Sequence, residues 1–269
     1  MSYSLENEAE ALRLERQARQ PAYRLGDEFA GFAPAPGARV LDAGCGSGLV
    51  SRYLAQHFEG LHLDACDFSQ VRVEQAKKLG KDDDGIHYSH GDVCDLPFGD
   101  DTFDAVVNRY VLEHLAHPQK AVKEFHRVLK PGGEVFLIDL DGIVFNFYSQ
   151  NRKLDAMLAK LRENLGFDLF IGRKMPLLLK EAGFQKIEWS VSLMQFQGEE
   201  KKSEIENYKD RFAFAKPLFQ KHLGEDADYF AKAYLDELAH NETVFFYNKF
   251  VVRGVKNSAE RPRGDDKNV

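Results

Sequence analysis

The stretch that decides the fold is VLDAGCGSG, residues 40–48. It begins as an apolar strand that ends at Asp42 and continues directly into glycines at positions 44, 46 and 48. A strand that passes through a glycine-rich turn into a helix lets a ligand approach the backbone where a Cβ would clash. A tight turn that merely contains three glycines is the alternative, and a glycine cluster alone discriminates poorly. Because a strand precedes this turn and a helix follows it, we predict a ligand site at Asp42, Gly44, Gly46 and Gly48.

Apolar strands and helices alternate through most of the chain. The pattern predicts strands at residues 39–42, 61–66, 86–90, 103–108, 134–140, 186–193 and 243–255. Strands that alternate with helices at this spacing are typical of a doubly wound α/β fold. We therefore predict a Rossmann-like sheet of seven strands, mostly parallel, with helices on both faces.

The segments outside this pattern divide the chain further. A helix over residues 4–20 and a Pro/Gly breaker at Phe32–Gly37 predict an N-terminal helical lid over residues 1–36, in front of a core domain over 37–255. Helical cap insertions rich in aromatic residues are predicted at about 141–172 and 195–241. The charged stretch over 256–269 is predicted to be a disordered tail.

A carboxylate follows the second predicted strand. Asp67 lies about 20 residues beyond the glycine turn, where nucleotide-binding folds place an acid that accepts hydrogen bonds from ribose hydroxyls. Asp64 lies earlier in the same strand, too deep to reach the crevice at the strand ends. An acid that merely stabilises the next helix through its dipole is the alternative. The spacing from the glycines favours the ribose contact for Asp67.

Another acid ends the third predicted strand, in Gly91-Asp92-Val93. A carboxylate there can accept a hydrogen bond from an adenine amino group while apolar neighbours cover the ring. Taken alone, Asp92 is better explained as an acid in a surface turn. It becomes a candidate because the carboxyl ends of parallel strands meet at one crevice.

Composition limits the classes of partner and compartment. The chain of 269 residues carries 36 Lys and Arg against 43 Asp and Glu, a net charge of −7. This balance disfavours a nucleic-acid partner, because such proteins usually carry a basic face. No run approaches the roughly 18 apolar residues of a membrane span. The charged N-terminus has no apolar leader, so we predict a cytoplasmic protein.

The motifs carry a resemblance as a set. The stretches VLDAGCGSG, ACDFS, HGDVCDLPF, FDAVVNRYVLEHLAHP and LKPGGEVFLID follow one another in that order over roughly residues 38–140. They resemble class I S-adenosylmethionine-dependent methyltransferases of type 11. The similarity is greatest to the ubiquinone/menaquinone-biosynthesis-like branch, whose LEHL motif stands here at Leu112–Leu115.

This resemblance implies that the cofactor is S-adenosylmethionine. It implies that Gly44, Gly46 and Gly48 pass under the methionine and ribose part of the cofactor. By the same resemblance, Asp67 holds the ribose hydroxyls and Phe68 lies beside the adenine.

The resemblance also assigns the other side of the site. It implies that Asp92 and Val93 meet the adenine and that Asn108, at the end of the fourth strand, lies beside the methionine part. The final strand, predicted at 243–255, matches an antiparallel edge strand in this family. The two cap insertions depart from a minimal member, so the family does not indicate the substrate.

Other classes of protein share part of this pattern. A nicotinamide-dependent oxidoreductase also has a strand, a glycine turn and a distant acid, but its fingerprint is G-x-G-x-x-G, and Leu49 occupies the place of the third glycine. A non-catalytic S-adenosylmethionine-binding protein would show the same site residues. A thiol-dependent arsenite methyltransferase would use cysteines, and Cys45, Cys66 and Cys94 fall near predicted strand ends. Small buried thiols are the simpler explanation.

The sequence does not assign a general base. Tyr110, Glu113, His114 and His117 follow the fourth strand, and a histidine has a suitable intrinsic pKa for this task. A hydrogen-bonded structural histidine explains His114 equally well, so no catalytic residue and no metal ligand is assigned. The aromatic residues of the cap predict a closed pocket for a small apolar or aromatic molecule.

Overall fold

The computed structural model describes Gln17 and residues 23–80, 85–166 and 168–257. Within these residues the strands are β1 (Arg39–Ala43), β2 (His62–Asp67), β3 (Ile86–His90), β4 (Phe103–Arg109), β5 (Leu129–Asp141), β6 (Gln185–Gln195) and β7 (Phe246–Val255). They form one sheet in the order β3-β2-β1-β4-β5-β7-β6. Only β7 runs antiparallel to its neighbours, β5 and β6, among the strands described. The predicted mostly parallel sheet with an antiparallel final strand is confirmed, but β7 lies between β5 and β6 and is not the edge strand that the resemblance implies.

The order of strands reverses between β1 and β4. The chain winds outward from β1 to β3 and then returns to place β4 on the other side of β1. Open α/β sheets bind ligands at this type of reversal, outside the carboxyl ends of the strands. The topology therefore places the glycine turn after β1 at the position where a ligand crevice forms.

Two predicted strand boundaries were wrong. β5 begins at Leu129, well before residue 134, because Leu129 pairs with Phe103 of β4 across a register shift. The final strand begins at Phe246 and not at Thr243, whose backbone N–H donates to the His240 carbonyl in a turn. The first difference follows from pairing between distant residues, which local patterns do not report, whereas the second follows from a local turn.

Helices cover the sheet and build the cap. They are α1 (Leu25–Glu28), α2 (Leu49–His57), α3 (Gln70–Leu79), α4 (Pro118–Val128), α5 (Arg152–Asn164), α6 (Met175–Glu181), α7 (Gly198–Leu223) and α8 (Ala227–Ala239). Short 3-10 turns lie at Leu112–His114, Gly172–Lys174 and Gly224–Asp226. No helix of the described residues is long and apolar enough to cross a membrane.

Local signals explain where these helices begin. The Ser69 hydroxyl accepts a hydrogen bond from the Arg72 backbone N–H at 3.2 Å, which caps α3. Pro118 occupies the first turn of α4, where a missing N–H costs nothing. Asn151 caps α5 in the same way as Ser69, by accepting from the Leu154 N–H at 3.1 Å.

Hydrophobic residues on alternate positions of the strands fill two cores. Leu41 and Val106 point to the face that α4 and α6 cover, whereas Val40 and Val107 point to the face that α1 and α2 cover. A third core lies within the cap, where α5, α7 and α8 bury a cluster of aromatic side chains, among them Tyr208, Phe212, Phe230 and Tyr234. The predicted helices on both faces and the helical cap insertions are therefore present.

The structure describes only part of the predicted N-terminal lid. Apart from Gln17, residues 1–22 lie outside the described residues, which includes most of the predicted helix over 4–20. Within residues 23–36, Phe29 and Phe32 are buried and Phe29 stacks on Phe136 of β5 at 5.5 Å, so this part packs against a face of the sheet. The N-terminal lid stays a prediction.

The predicted disordered tail begins too early at residue 256. Lys256 extends the pairing of the sheet, since its backbone N–H donates to the Gly133 carbonyl and its carbonyl accepts from the Gly132 N–H, both at 2.9 Å. Its ammonium also lies 2.7 Å from an Asp101 carboxylate oxygen. Residues 258–269 lie outside the described residues.

A buried carboxylate ties α1 to the sheet. Glu28 is fully buried and lies 2.6 Å from Arg109 Nε of β4 and 2.8 Å from Lys249 Nζ of β7. Burial alone would raise the pKa of Glu28, but Arg109 and Lys249 hold it below its ordinary value. This carboxylate therefore joins three separate elements through buried charge.

We predict that Glu28→Gln lowers the free energy of unfolding by about 3–5 kcal/mol, because two buried cations lose their counter-charge. Urea denaturation followed by circular dichroism measures the change. Glu188→Gln is the matched control, since Glu188 pairs with Arg253 at an exposed position, where an ion pair contributes about 1 kcal/mol or less. Equal losses in the two variants would contradict this account.

Candidate functional site

The glycine turn after β1 is shaped by close packing on two sides. Gly44 and Gly48 have φ of 84° and 80°, in the region that side chains disfavour. A Cβ on Gly44 would lie 2.5 Å from Val111 Cγ2, and one on Gly48 would lie 2.7 Å from the Tyr88 hydroxyl oxygen. A Cβ on Gly46 would meet no atom within 4 Å. The turn is therefore packed at both ends and open in its middle.

Backbone hydrogen bonds fasten this turn to β2. The N–H groups of Gly44 and Cys45 both donate to the Cys66 carbonyl, at 2.8 and 2.9 Å. The Gly46 N–H donates to Asp67 Oδ2 at 2.8 Å. The structure thus brings together the glycines and the acid that the sequence placed in one site.

Asp67 and Phe68 stand side by side at the end of β2. The Ser69 N–H donates to Asp67 Oδ1 at 2.9 Å, so both carboxylate oxygens are oriented by backbone groups. Phe68 is 46% exposed, and its ring centroid lies 6.1 Å from that of His90. A fixed carboxylate beside an exposed aromatic face suits a ribose and an adenine, which remains the prediction for these two residues.

The third strand end contributes a carboxylate and a core residue. Asp92 Oδ1 accepts from the Cys94 N–H at 2.8 Å, which holds the acid in a tight turn. Val93 is buried among core residues of the sheet, so its side chain packs inward. The predicted adenine contact of Asp92 and Val93 stays a prediction, and for Val93 it would have to come from the backbone.

Asn108 at the end of β4 offers a buried acceptor. Its Nδ2 donates to the Ala43 carbonyl at 2.6 Å, which links β4 to the glycine turn. The side chain is 1% exposed, and Oδ1 has no hydrogen-bond partner among the described residues. A buried acceptor without a partner costs free energy, so native proteins rarely keep one without a reason. A ligand donor at this position would satisfy it.

Asp42 lies beneath the turn and not at its surface. It is 1% exposed, and the Ser51 hydroxyl of α2 donates to its Oδ2 at 2.5 Å. Burial raises the pKa of Asp42 to about 6. The predicted cofactor contact of Asp42 is untested, and the contact that the structure shows ties β1 to α2.

A buried cluster around Tyr110 escaped the sequence analysis. Tyr110 has φ of 56°, uncommon for a residue with a bulky side chain. Its hydroxyl donates to Glu28 Oε1 at 2.8 Å, and the Arg109 guanidinium lies 4.0 Å from its ring centroid. Glu28 is some 80 residues away along the chain, so no local motif could have revealed this cluster. Strained backbone of this kind is often found at functional sites.

Two of the other base candidates, Glu113 and His114, lie on a 3-10 turn. Glu113 is 7% exposed, and its backbone N–H donates to Asp139 Oδ2 at 3.3 Å. Burial, followed by the charge of Glu113, raises the pKa of Asp139 well above its ordinary value. His114 Nε2 lies 3.4 Å from Glu113 Oε1, and His117 precedes α4 without capping it. This geometry places two buried carboxyls together, but assigns no base.

The cysteines do not form a reactive centre. Cys45, Cys66 and Cys94 are all free thiols, and the first two are buried. Burial raises the pKa of Cys66 to about 12 and that of Cys45 above its ordinary value. A thiol in this state is protonated and a poor nucleophile. The described residues hold no cluster of His, Cys, Asp or Glu suited to a metal ion.

We predict that Gly44→Ala destabilises the protein by about 2–4 kcal/mol, from left-handed strain and a clash with Val111. Gly37→Ala isolates the strain, because Gly37 has φ of 76° but no atom within 4 Å of the added Cβ. We expect about 1–2 kcal/mol for that variant. Thermal and urea unfolding measure both, and equal losses would show that Val111 does not confine the turn.

The raised pKa of Asp42 predicts a pH-dependent stability. An acid whose pKa rises from 3.8 to about 6 on folding stabilises the folded state at low pH and loses that contribution as the pH rises through this window. Relative to Asp42→Asn, the wild type should lose about 2–3 kcal/mol of unfolding free energy between pH 4 and pH 7. A constant difference between the two proteins across this range would contradict the assignment.

Known methyltransferases match a large part of this sequence. A family model described as a methyltransferase domain matches residues 41–137. The demethylmenaquinone methyltransferase of Staphylococcus haemolyticus is 30% identical over 171 residues, which cover 56% of this chain and 70% of that protein. That of Clavibacter sepedonicus is 40% identical over 107 residues, 40% of this chain and 43% of the relative. The chain therefore spans less than half the length of the second of these proteins.

Solved structures agree in fold. Phosphoethanolamine N-methyltransferase 2 of Haemonchus contortus, in complex with S-adenosyl-L-methionine, aligns with a TM-score of 0.57 at 22% identity, covering 88% of this chain and 53% of that one. The YcgJ protein of Bacillus subtilis aligns with a TM-score of 0.55 at 20% identity, covering 87% and 98%. With the sequence matches and the glycine turn, the conclusion is that this chain belongs to the class I S-adenosylmethionine-dependent methyltransferases, in the ubiquinone/menaquinone-like branch.

Proposed function

We propose that this protein transfers a methyl group from S-adenosylmethionine to a small apolar or aromatic molecule. The observation that carries the proposal is that the glycine turn contacts the carboxyl ends of β2 and β4 at one edge of the sheet. The open middle of the glycine turn, the fixed carboxylate of Asp67 and the partnerless acceptor of Asn108 all lie there. These three features suit three different parts of one nucleoside–amino acid cofactor.

The residues present fit that cofactor chemically. Asn108 Oδ1 is a buried acceptor, and the cofactor's α-ammonium is a donor of the required kind. Asp67 is an oriented carboxylate, which accepts well from vicinal hydroxyls. Phe68 presents an exposed ring for a purine face. Gly46 leaves room for the ligand chain to pass over the backbone.

When bound, the cofactor supplies a sulfonium whose methyl group is electrophilic without further activation. The chain's own residues then have to orient the acceptor and exclude water. Positioning of this kind can lower a barrier by about 7–11 kcal/mol. The proposal accordingly needs no base unless the acceptor atom carries a proton, and it names none.

The cap favours a small acceptor over a macromolecule. Aromatic side chains of α7 and α8 pack into a continuous core, in which Phe212 and Phe230 stack at 5.6 Å. Such a cap covers the carboxyl side of the sheet instead of leaving a flat docking surface. The two relatives named above are demethylmenaquinone methyltransferases, and a quinone-like ring is one acceptor of this class. A cytoplasmic location and the lack of a nucleic-acid partner stay predictions from composition.

Two alternatives make different demands on the same crevice. A nicotinamide enzyme would need close helix approach at a third glycine, and Leu49 stands at that position, at the start of α2. A non-catalytic binding protein would bind the adenosyl cofactor without turnover. Binding experiments distinguish the proposed methyltransferase from a nicotinamide enzyme. An acceptor screen distinguishes it from a non-catalytic binding protein.

We expect calorimetric titration to show micromolar binding of S-adenosylmethionine and S-adenosylhomocysteine, on the order of −8 kcal/mol, and no comparable binding of NAD. Asp67→Ala should weaken both adenosyl ligands at least about tenfold, because it removes a charged acceptor for two hydroxyls. Asp64→Ala is the matched control. Asp64 lies in the same strand but bonds to Arg39 Nε at 2.8 Å, away from the turn.

Tight NAD binding with no response to either adenosyl ligand would overturn the proposal. Equal losses in the Asp67 and Asp64 variants would show that the effect comes from folding and not from the ribose contact. Normal cofactor binding without methyl transfer to a broad panel of quinols, phenols and amines would support the non-catalytic alternative.

A further inference from the structure

A cleft that the cofactor site does not use lies between α5 and the segment that leads into α6. Its volume is about 230 Å³. The residues that line it are aromatic, aliphatic and charged: Phe145, Arg162, Leu165, Asp168, Leu169, Phe170, Arg173 and Lys174. Three of these side chains are cations and one is an acid, in a chain whose net charge is −7. The cleft is therefore locally basic on an acidic protein.

The segment that follows β4 contacts both the glycine turn and this cleft. Val111 closes the glycine turn, as the contact with a Cβ on Gly44 shows. The Glu113 carbonyl, two residues on, accepts from the Asp168 N–H at 2.8 Å in the wall of the cleft. The next residue, Leu169, contacts the chain just after β5, because its carbonyl accepts from the Gly142 N–H at 2.8 Å. The cleft thus borders the ends of β4 and β5.

Arg162 is the cleft cation that has no ion pair with any described residue. Its guanidinium carbon lies 4.3 Å from the ring centroid of Phe170, and the described residues offer it no carboxylate partner. The other two cations are engaged: Lys174 lies 2.5 Å from an Asp168 oxygen, and Arg173 forms a bidentate pair with buried Asp141. A guanidinium near an aromatic ring, with no carboxylate paired to it among the described residues, can donate hydrogen bonds to a planar anion.

The walls of the cleft suit an aromatic body. Phe145 and Phe170 stack with their centroids 5.4 Å apart and an angle of 28° between their planes. Leu165 and Leu169 complete the apolar lining. An aromatic ring gains from stacking and from burial of apolar area, and its carboxylate gains from the guanidinium. The cleft would therefore contact both the ring and the carboxylate of one small molecule.

We propose that this cleft binds a small aromatic carboxylate, with Arg162 as the residue that holds the carboxylate and the Phe145–Phe170 pair as the wall for the ring. This rests on the proposed function and deepens it, because the cleft adjoins the reaction site and the acceptor would then be an aromatic acid. Arg162 acts here as a specificity residue and takes no part in the transfer itself.

The test uses the full chain saturated with S-adenosylhomocysteine, and benzoate as the probe. Benzoate should bind saturably in the millimolar range or tighter, and Arg162→Gln should weaken it about tenfold through loss of a charge-assisted hydrogen bond. Benzyl alcohol, which lacks the charge, should bind more weakly and equally to both proteins. Lys160→Gln removes an exposed charge from the same helix outside the cleft and should leave benzoate binding unchanged.

Equal benzoate affinity in the wild type and Arg162→Gln, or no saturable binding by the wild type, would overturn the assignment. Titration of S-adenosylhomocysteine into each protein keeps the two proposals apart. If the cofactor product binds both proteins equally and benzoate binds neither, only the cleft proposal fails. If the cofactor product binds neither protein, the proposed function fails, and benzoate titrated into the free protein then decides the cleft.

Discussion

The site depends on two backbone N–H groups that share one carbonyl. Gly44 and Cys45 both donate to the Cys66 oxygen, which requires a turn sharp enough to aim successive amides at one point. Glycine at 44 permits that turn because its φ of 84° and the nearness of Val111 exclude a side chain. Once β1 and β2 are held in this way, Asp67 meets the Gly46 N–H, and its carboxylate is oriented before any ligand arrives. A site oriented in advance loses less entropy when it binds.

The cap is held to the sheet by polar contacts at its base as well as by its aromatic core. Val144, just after β5, has φ of 74°, and both of its backbone groups are bound by buried tyrosines of the cap. Its N–H donates to the Tyr208 hydroxyl oxygen at 3.1 Å, and its carbonyl accepts from the Tyr234 hydroxyl at 3.0 Å. The same tyrosines belong to the cap core, so packing in α7 and α8 determines where the chain leaves the sheet. The cap is therefore fixed relative to the end of β5.

Charge is distributed unevenly between the interior and the crevice rim. Glu28 supplies one counter-charge to both Arg109 and Lys249 inside the fold, where an unpaired charge would be costly. Asp42 avoids that cost differently, since burial raises its pKa to about 6 and the Ser51 hydroxyl supplies a hydrogen bond. Asp67 lies at the glycine turn, where backbone N–H groups orient its carboxylate, and Arg162 lies near Phe170 in the separate cleft. The interior charges hold elements of the fold together, whereas these two charges are the ones proposed to select ligands.

The sequence by itself determined the alternation of strands and helices, the glycine turn, and the residues Asp67, Asp92 and Asn108 at successive strand ends. It could do so because these features depend on local spacing: the period of a strand, the freedom of a glycine, the capping oxygen of Ser69. Only the tertiary structure decided that Asp42 and Val93 face inward, that residues 23–36 pack on the sheet, and that β5 begins at Leu129. It alone brought Glu28 to Arg109 and Lys249, and Arg162 to Phe170. Some of these contacts join residues that are distant in sequence, and the others depend on how a chain segment turns. Side-chain burial and pairing of this kind result from the packing of the whole fold. No local sequence pattern encodes them.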